Sequence, residues 1–395
     1  MGDERNAREN CSCTELWIDW EAIVKKIPLF KVVNSPEMES TAVEVMRSGL
    51  IASGEHVRRF EDGLSDLLGH EHIVSVSDMT SAIYMALHIS GVRLGDDVIT
   101  SAFSCMATNA PISAMGANAI WVDLLESSIS IDPVAFERAI TPKTKAAILY
   151  HVAGYPGAVK EISEICKKHD IVLIEDCNNA LLAMVEGEPA GGSGDFAIYS
   201  FYPTRLIQTF EGAAIVCRDE EKADALKKLR RLGIDFTTFR NEVGEINAAS
   251  DIPEAGWASS LSNIGAAIGC VQLSGVKDRI EKVRENAACL SSLLSQLPGL
   301  TVIPAYPATV PSYWALLIQV EGRNKILKFL KEKGVHVSSL HQMNDRYSCF
   351  HTSSCYELPN TEILQKTILA LPCGWWLSRD DIEYIVAMME LALQE

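Results

Sequence analysis

The sequence lacks the features that would place the protein in a membrane or on a nucleic acid. It has no apolar run long enough to cross a bilayer, and residues 1–6 lack the apolar stretch of a signal peptide. Its 35 basic residues are outnumbered by 52 acidic ones, which gives a formal net charge of −17. Nucleic acids and anionic lipids are repelled by such a surface, so neither is expected as a partner. We therefore expect a cytoplasmic protein with a small-molecule substrate.

The eleven cysteines also lack the spacing of a zinc site or of a disulfide framework. Two local clusters exist, Cys11 with Cys13, and Cys349 with His351 and Cys355, but neither has the paired two-residue spacing of structural zinc sites. An odd number of cysteines scattered through apolar segments is typical of reduced thiols. No bound metal is expected.

What the sequence does have is an alternation of strand and helix patterns. Helical stretches alternate with β-rich runs at 72–77, 97–103, 119–123, 146–151, 171–176, 196–201 and 213–217. Near-continuous apolar strands in this arrangement predict an α/β domain with a mainly parallel, seven-stranded sheet. After residue 245 the pattern changes to one long helical stretch, at 260–297, followed by short strands and helices. We therefore predict an appendage at 1–30, a large α/β domain at 31–245 and a smaller α+β domain at 246–395.

Polar side chains lie at the ends of several predicted strands. These are Ser77, Asp78, His151, Asp176 and Ser200. Ligands bind beyond the carboxyl ends of parallel strands, so a pocket shared by these residues is expected.

Ordered segments from Ile27 to the C-terminus resemble the DegT/StrS-type sugar aminotransferases. The segments include Ser53-Gly54-Glu55-His56-Val57, Leu94-Gly95-Asp96-Asp97-Val98-Ile99, His151-Val152-Ala153-Gly154-Tyr155-Pro156, Ile174-Glu175-Asp176 and Ser262-Asn263-Ile264-Gly265. The resemblance implies the type I aminotransferase fold and a homodimer with its active site at the subunit boundary.

Enzymes of this family use pyridoxal phosphate, and the resemblance assigns cofactor roles to four residues. Asp176 occupies the position that pairs with the pyridine nitrogen, where a carboxylate keeps the ring protonated. Asn179 stands where the family has Gln or His, and Ser200 corresponds to a phosphate-contacting hydroxyl. Asn263 is expected to approach the active site of the neighbouring subunit.

Arg205 departs from the family at its most important position. It stands where the family has the lysine that forms a Schiff base with the cofactor. That chemistry needs an amine that can lose its proton, whereas a guanidinium stays protonated and is a poor nucleophile. Ordinary transamination through this residue is therefore not expected.

The other departures affect the same cofactor. The family's Ser-Gly-Thr phosphate turn is replaced by Asp78-Met79-Thr80, which adds a side chain and a negative charge where the phosphate would bind. Cys105 replaces the aromatic residue that stacks on the pyridine ring. Beside Glu211, family glycines are replaced by Phe210 and Ala213. We therefore expect no cofactor, with pyridoxal or pyridoxamine phosphate as the alternative.

The sequence leaves the new role of the site open. Arg205 either pairs with Asp78 or Asp176, since a lone buried guanidinium needs an anionic partner, or binds a substrate carboxylate or phosphate. Candidates for proton transfer are His151, Asp176, Glu211 and His341, although structural hydrogen bonding explains both histidines equally well.

Three functions follow from these alternatives. The first is a cofactor-independent biosynthetic enzyme acting on an anionic small molecule, such as a sugar nucleotide or a secondary-metabolite precursor. The second is a non-catalytic subunit that forms a heterodimer with an active paralogue. The third is an ordinary sugar aminotransferase.

Overall fold

A computed structural model describes residues 25–126, 128–350 and 357–394 of the chain. Most of the predicted appendage and the cysteine pair Cys11 and Cys13 lie outside the described residues, as do His351 and Cys355. None of the helices in the described ranges is long and apolar enough to cross a membrane.

The structure contains twelve α-helices within its described ranges. They are α1 (Pro36–Ser48), α2 (Glu55–Leu68), α3 (Met79–Ile89), α4 (Met106–Ala114), α5 (Pro133–Arg138), α6 (Val159–Lys168), α7 (Glu220–Leu229), α8 (Asn263–Leu273), α9 (Val276–Leu294), α10 (Arg323–Glu332), α11 (Pro359–Thr367) and α12 (Arg379–Gln394). The predicted helical stretch at 260–297 is two helices, α8 and α9, because the chain turns at Ser274 and Gly275.

The strands form one large and two small sheets. They are β1 (Ile73–Val76), β2 (Asp97–Ser101), β3 (Asn118–Val122), β4 (Thr144–Tyr150), β5 (Val172–Asp176), β6 (Met184–Val185), β7 (Glu188–Pro189), β8 (Phe196–Ser200), β9 (Ala213–Cys217), β10 (Leu300–Val302), β11 (Thr309–Val310), β12 (Leu316–Val320) and β13 (Ile368–Leu371). The seven-stranded sheet has the order β1-β9-β8-β5-β4-β2-β3. Strand β9 runs antiparallel to both of its neighbours, and the other pairs are parallel. The predicted mainly parallel, seven-stranded sheet is confirmed.

The large sheet is buried on both faces, which explains why its strands are almost continuously apolar. One face packs on helices that include α3 and α7, and the other on helices that include α2 and α6. Alternate residues of each strand therefore contribute to separate cores. The small antiparallel sheet β10-β12-β13 packs with α9, α10 and α12 in a third core.

Two segments near the predicted domain boundaries pack against residues on the other side of a boundary. Ile27 is buried and forms a parallel bridge with Val335, so the end of the predicted appendage lies against the smaller domain. Helix α8, which follows residue 245, packs on α1 and α2. The domain limits themselves stay predictions.

Candidate functional site

Arg205 lies in the turn after β8, and its guanidinium is held in place from several sides. Nη1 donates to Thr204 Oγ1 at 3.0 Å, and Nη2 donates to Asn178 Oδ1 at 3.1 Å. Its Cζ lies 5.0 Å from the ring centroid of Trp314, which is within the range of a cation–π contact. Trp314 in turn stacks on Phe30, with 3.9 Å between ring centroids. The guanidinium is therefore fixed by packing as well as by hydrogen bonds.

The guanidinium has no anionic partner among the described residues. The expected ion pair with Asp78 or Asp176 is not found, since both carboxylates bond to other groups. The Nε–H of Arg205 is buried and has no hydrogen-bond partner. Burial lowers the pKa of Arg205, and nearby Tyr150, Cys105 and Asp176 act in the opposite direction. An arginine stays protonated under such conditions, so the site holds an unmatched positive charge.

Asp176 ends β5 and is fully buried on the face of the sheet that packs against α3 and α4. It accepts hydrogen bonds from Thr108 Oγ1 at 2.6 Å, from the Asn178 amide nitrogen at 3.0 Å and from Asn178 Nδ2 at 2.9 Å. Burial raises the pKa of Asp176 despite these bonds. Because Asn178 also accepts from Arg205, its amide links the carboxylate to the guanidinium without direct contact.

A second hydrogen-bonded chain joins Tyr150 to His341. The Tyr150 hydroxyl accepts from Asn179 Nδ2 at 2.9 Å and lies 3.2 Å from His341 Nε2. Burial, with a contribution from the positive charge of Arg205, lowers the pKa of His341 to about 4, so the ring is neutral at pH 7. Burial also raises the pKa of Tyr150. The phenol and the neutral imidazole therefore share one hydrogen bond, whose donor depends on the tautomer of His341.

Cys105 precedes α4 and takes no part in a side-chain cap of that helix. Burial raises the pKa of its thiol, and the charges of Asp176 and Arg205 act on it in opposite directions. The residue is therefore a thiol rather than a thiolate at pH 7. Cys105 offers no ring face on which a planar cofactor could stack.

Asp78 caps the N-terminus of α3 with its own carboxylate. Oδ1 accepts from the Ser81 amide at 2.8 Å, and Oδ2 accepts from the hydroxyls of Ser81 at 2.7 Å and Ser77 at 2.8 Å. Burial raises the pKa of Asp78, but these hydrogen bonds outweigh it and lower the pKa overall. Met79, the first helical residue, is buried, and Thr80 is exposed. Amides at a helix N-terminus that could bind a phosphate thus already serve a carboxylate.

Glu211 and Phe210 lie close to this helix end. The side chain of Glu211 is exposed. Its pKa is raised mainly by the partial loss of hydration and secondly by the negative charge of Asp78. Phe210 has a φ of 66°, in the left-handed region that favours glycine, and its side chain is 52% exposed. Phe210 therefore keeps the left-handed backbone conformation that glycine adopts easily, and because Phe has a Cβ atom the backbone is strained there.

His151 is directed away from Arg205. It follows β4 and bonds through Nε2 to Glu175 at 3.0 Å, on the opposite face of the sheet from Asp176. Glu175 also accepts from the amides of Gly191, Ser193 and Gly194. Burial raises the pKa of Glu175, but the bonds from His151 and these amides lower it overall. Together with Cys177 the pair forms a buried cluster whose ligand-type atoms lie within 4.8 Å of one another. The bonding of Glu175 is already saturated by four donors, which favours a structural role.

The remaining predicted residues have local partners. Ser200 lines the same cleft as Arg205 and Asn179, and its hydroxyl accepts from the Tyr202 amide at 3.4 Å. Asn263 is buried and bonds within its own chain, accepting from the His56 amide at 3.0 Å and donating to the Leu50 carbonyl at 2.7 Å. Whether it also faces a second subunit stays a prediction.

Four residues of the site were missed by the sequence analysis, namely Tyr150, Asn178, Thr108 and Trp314. Tyr150 could have been found, because it pairs in register with Asp176 and so shares its face of the sheet, whereas His151 does not. Trp314 comes from the predicted smaller domain, and no local pattern places it against Arg205.

Comparison with known proteins identifies the family. The model of the DegT/DnrJ/EryC1/StrS aminotransferase family matches residues 34–390. The chain belongs to this family. SpsC, a spore coat polysaccharide biosynthesis protein of Bacillus subtilis (strain 168), is 27% identical over 354 residues, which cover 87% of this chain and 91% of SpsC.

Solved structures of the family share the fold. The sugar aminotransferase CalS13 of Micromonospora echinospora is 27% identical, with a TM-score of 0.86 over 92% of this chain and 99% of its own. Spr1654 of Streptococcus pneumoniae in its PLP-form is 21% identical, with a TM-score of 0.86 over 94% of this chain and 99% of its own. The type I aminotransferase-like fold is therefore confirmed.

The residues present do not fit pyridoxal phosphate. Position 205 offers a guanidinium and no titratable amine. The α3 amide that could hold a phosphate bonds to Asp78, and a carboxylate there repels the phosphate. Cys105 provides no stacking surface for the ring. These three departures concern the Schiff base, the phosphate and the stacking of the ring, whereas Asp176, the expected partner of the pyridine nitrogen, is present.

Proposed function

We propose that this protein is a cofactor-independent biosynthetic enzyme that binds an anionic small molecule and does not transaminate. The observation that carries the proposal is the pair of charged side chains at positions 78 and 205. Asp78 supplies a carboxylate where the family's cofactor phosphate would bind, and Arg205 places a half-buried positive charge in the site without an anionic partner among the described residues. One change disfavours the cofactor, and the other favours an anionic substrate.

The neighbouring side chains support proton transfer at the bound molecule. Tyr150 can donate a proton, and Nε2 of the neutral His341 can accept one. Asp176, whose pKa is raised by burial, is a third candidate. His151 and Glu211 are less suited to this role, because His151 is bound to Glu175 and Glu211 is exposed beside Asp78.

The names of the relatives support a biosynthetic substrate. SpsC is named for polysaccharide biosynthesis and CalS13 is a sugar aminotransferase. A sugar nucleotide or a related precursor would supply both the anionic group and hydroxyl groups for such a site. A homodimer in the cytoplasm is part of the same proposal.

The first test is cofactor binding by the purified protein. We expect the protein to be colourless as isolated and to remain so after incubation with pyridoxal phosphate and dialysis. Asp176→Asn and Arg205→Gln variants should each lose the turnover of the pathway product. A native protein that retains stoichiometric, yellow pyridoxal phosphate would contradict the proposal and favour an ordinary aminotransferase.

A non-catalytic subunit is the second candidate, and exposed apolar side chains favour it. Leu50 is 60% exposed and Ile51 is 44% exposed, and the carbonyl of Leu50 accepts a hydrogen bond from Asn263. Adjacent exposed apolar side chains of this kind are typical of subunit contacts. Light scattering of the protein alone and mixed with an active paralogue distinguishes the two, because an exclusive homodimer would exclude this role.

A further inference from the structure

Three of the residues that line one cleft each carry a buried polar atom without a hydrogen-bond partner. These atoms are the Nε of Arg205, the Oδ1 of Asn179 and the Nε1 of Trp376. Nine such side-chain atoms occur in the described part of the chain, so a third of them belong to residues of this cleft. The cleft lies between the loop after β8 and the segment that follows β13.

Unpartnered buried groups are rare in folded proteins because each one loses its hydration without compensation. Asn179 is only 7% exposed, and its Nδ2 is already used by Tyr150. Trp376 packs against Gly374, where an added Cβ would lie 2.0 Å from the indole. Gly374 thus allows the indole to lie close to the backbone. Two donors and one acceptor of the residues that line the cleft are therefore left without partners.

The charge of the cleft indicates what binds there. The guanidinium of Arg205 is half-buried, whereas Lys31 at the edge of the cleft is exposed. A single positive charge is balanced by a single negative charge. A doubly charged phosphate would leave an excess of negative charge near Asp176. The bonds to Thr204 and Asn178 fix the plane of the guanidinium, so Nε–H has a defined direction. A planar carboxylate matches this arrangement.

We propose that the cleft binds a hydroxylated monocarboxylate of the uronic or aldonic acid class. Its carboxylate accepts a hydrogen bond from the Nε–H of Arg205. One of its hydroxyls donates to Oδ1 of Asn179, and another oxygen accepts from the Nε1–H of Trp376. This inference rests on the proposed function, because it narrows the anionic substrate to a carboxylate.

The test is calorimetric titration of the full-length protein with D-glucuronate and D-gluconate. D-glucose lacks the carboxylate, cyclohexanecarboxylate lacks the hydroxyls, and inorganic phosphate carries a different anion. We expect at least one of the two acids to bind and the three comparison compounds to bind at least about tenfold more weakly, as expected for the loss of charged or multiple hydrogen bonds.

Variants test whether the acid is bound by Trp376 and Arg205. Trp376→Phe removes only the indole N–H and should weaken binding of the acid about fivefold. Trp257→Phe, a tryptophan outside the cleft, is the matched control and should leave the affinity unchanged. Arg205→Gln should abolish binding, and thermal unfolding would verify that each variant is folded.

Three outcomes would overturn the inference. They are failure of both acids to bind at millimolar concentrations, equal binding of phosphate, and equal affinity of the Trp376→Phe variant for the acid. Failure of the proposed function looks different, because it appears as retention of yellow pyridoxal phosphate by the native protein. A colourless protein that binds neither acid would therefore refute only the present inference.

Discussion

Restoring lysine at position 205 should not by itself restore cofactor binding. Asp78 remains at the N-terminus of α3 in an Arg205→Lys variant, with its carboxylate on the Ser81 amide. A second change, Asp78→Ser, removes this charge and keeps a residue that caps helices well. We therefore expect the double variant to bind pyridoxal phosphate more tightly than the single variant.

The expected difference in Kd between the single and the double variant follows from the distance between the phosphate and the Asp78 carboxylate. A phosphate that used the Ser81 amide would lie about 4 Å from the carboxylate of Asp78, and each pair of like charges at that distance costs about 1 kcal/mol in water. Asp78 is half-buried, so the value for water is a lower limit. A phosphate dianion makes two such pairs, which gives about 2 kcal/mol or a roughly thirtyfold difference in Kd.

Spectroscopic titration of the apoproteins with pyridoxal phosphate measures this difference. The matched control is Arg205→Lys with Asp219→Ser, because Asp219 caps α7 through the Lys222 amide, away from the site. The control should behave like the Arg205→Lys single variant. If all three variants bound the cofactor with the same Kd, the charge of Asp78 would not be the obstacle and the reasoning would be refuted.

Two further predictions concern the histidines. His341, with a pKa lowered to about 4 by burial and by Arg205, should stay neutral from pH 8 down to about pH 5 in an NMR titration; a midpoint near its ordinary 6.5 would contradict the buried position. His151→Ala leaves the buried Glu175 without its histidine partner and should lower the free energy of unfolding by about 3 kcal/mol in urea denaturation. His169→Ala, which removes an exposed partner of Glu137, should change it by less than about 1 kcal/mol; equal effects would argue against a structural role for His151.

The large domain could be predicted from the sequence because its pattern is repeated and local. All seven predicted strand segments coincide with strands of the main sheet, since strands buried on both faces are apolar throughout. The predicted helical stretch at 260–297 is divided at Gly275, because glycine is a weak helix former and marks the break between α8 and α9.

The site was harder to predict because its contacts join distant parts of the chain. Strand alternation decides that Tyr150 rather than His151 shares a face with Asp176, and this could have been deduced. The contact of Arg205 with Trp314, and of Trp314 with Phe30, depends on how the smaller domain packs. The sequence also suggested an acidic partner for Arg205, whereas the structure uses the neutral Asn178.

The hydrogen bonding shows which polar residues of the site are explained by the structure of the core and which are better explained by a bound ligand. Asp176 is satisfied by Thr108 and Asn178, so its presence in a core is explained without any ligand. Glu175 is likewise satisfied by His151 and the surrounding amides, whereas the Nδ1 of His151 is buried without a partner. Arg205 differs, because an inert core would gain stability by replacing a partly satisfied guanidinium with an apolar side chain. The argument for a ligand therefore depends on the groups that the fold leaves unsatisfied, and not on polar residues that it retains.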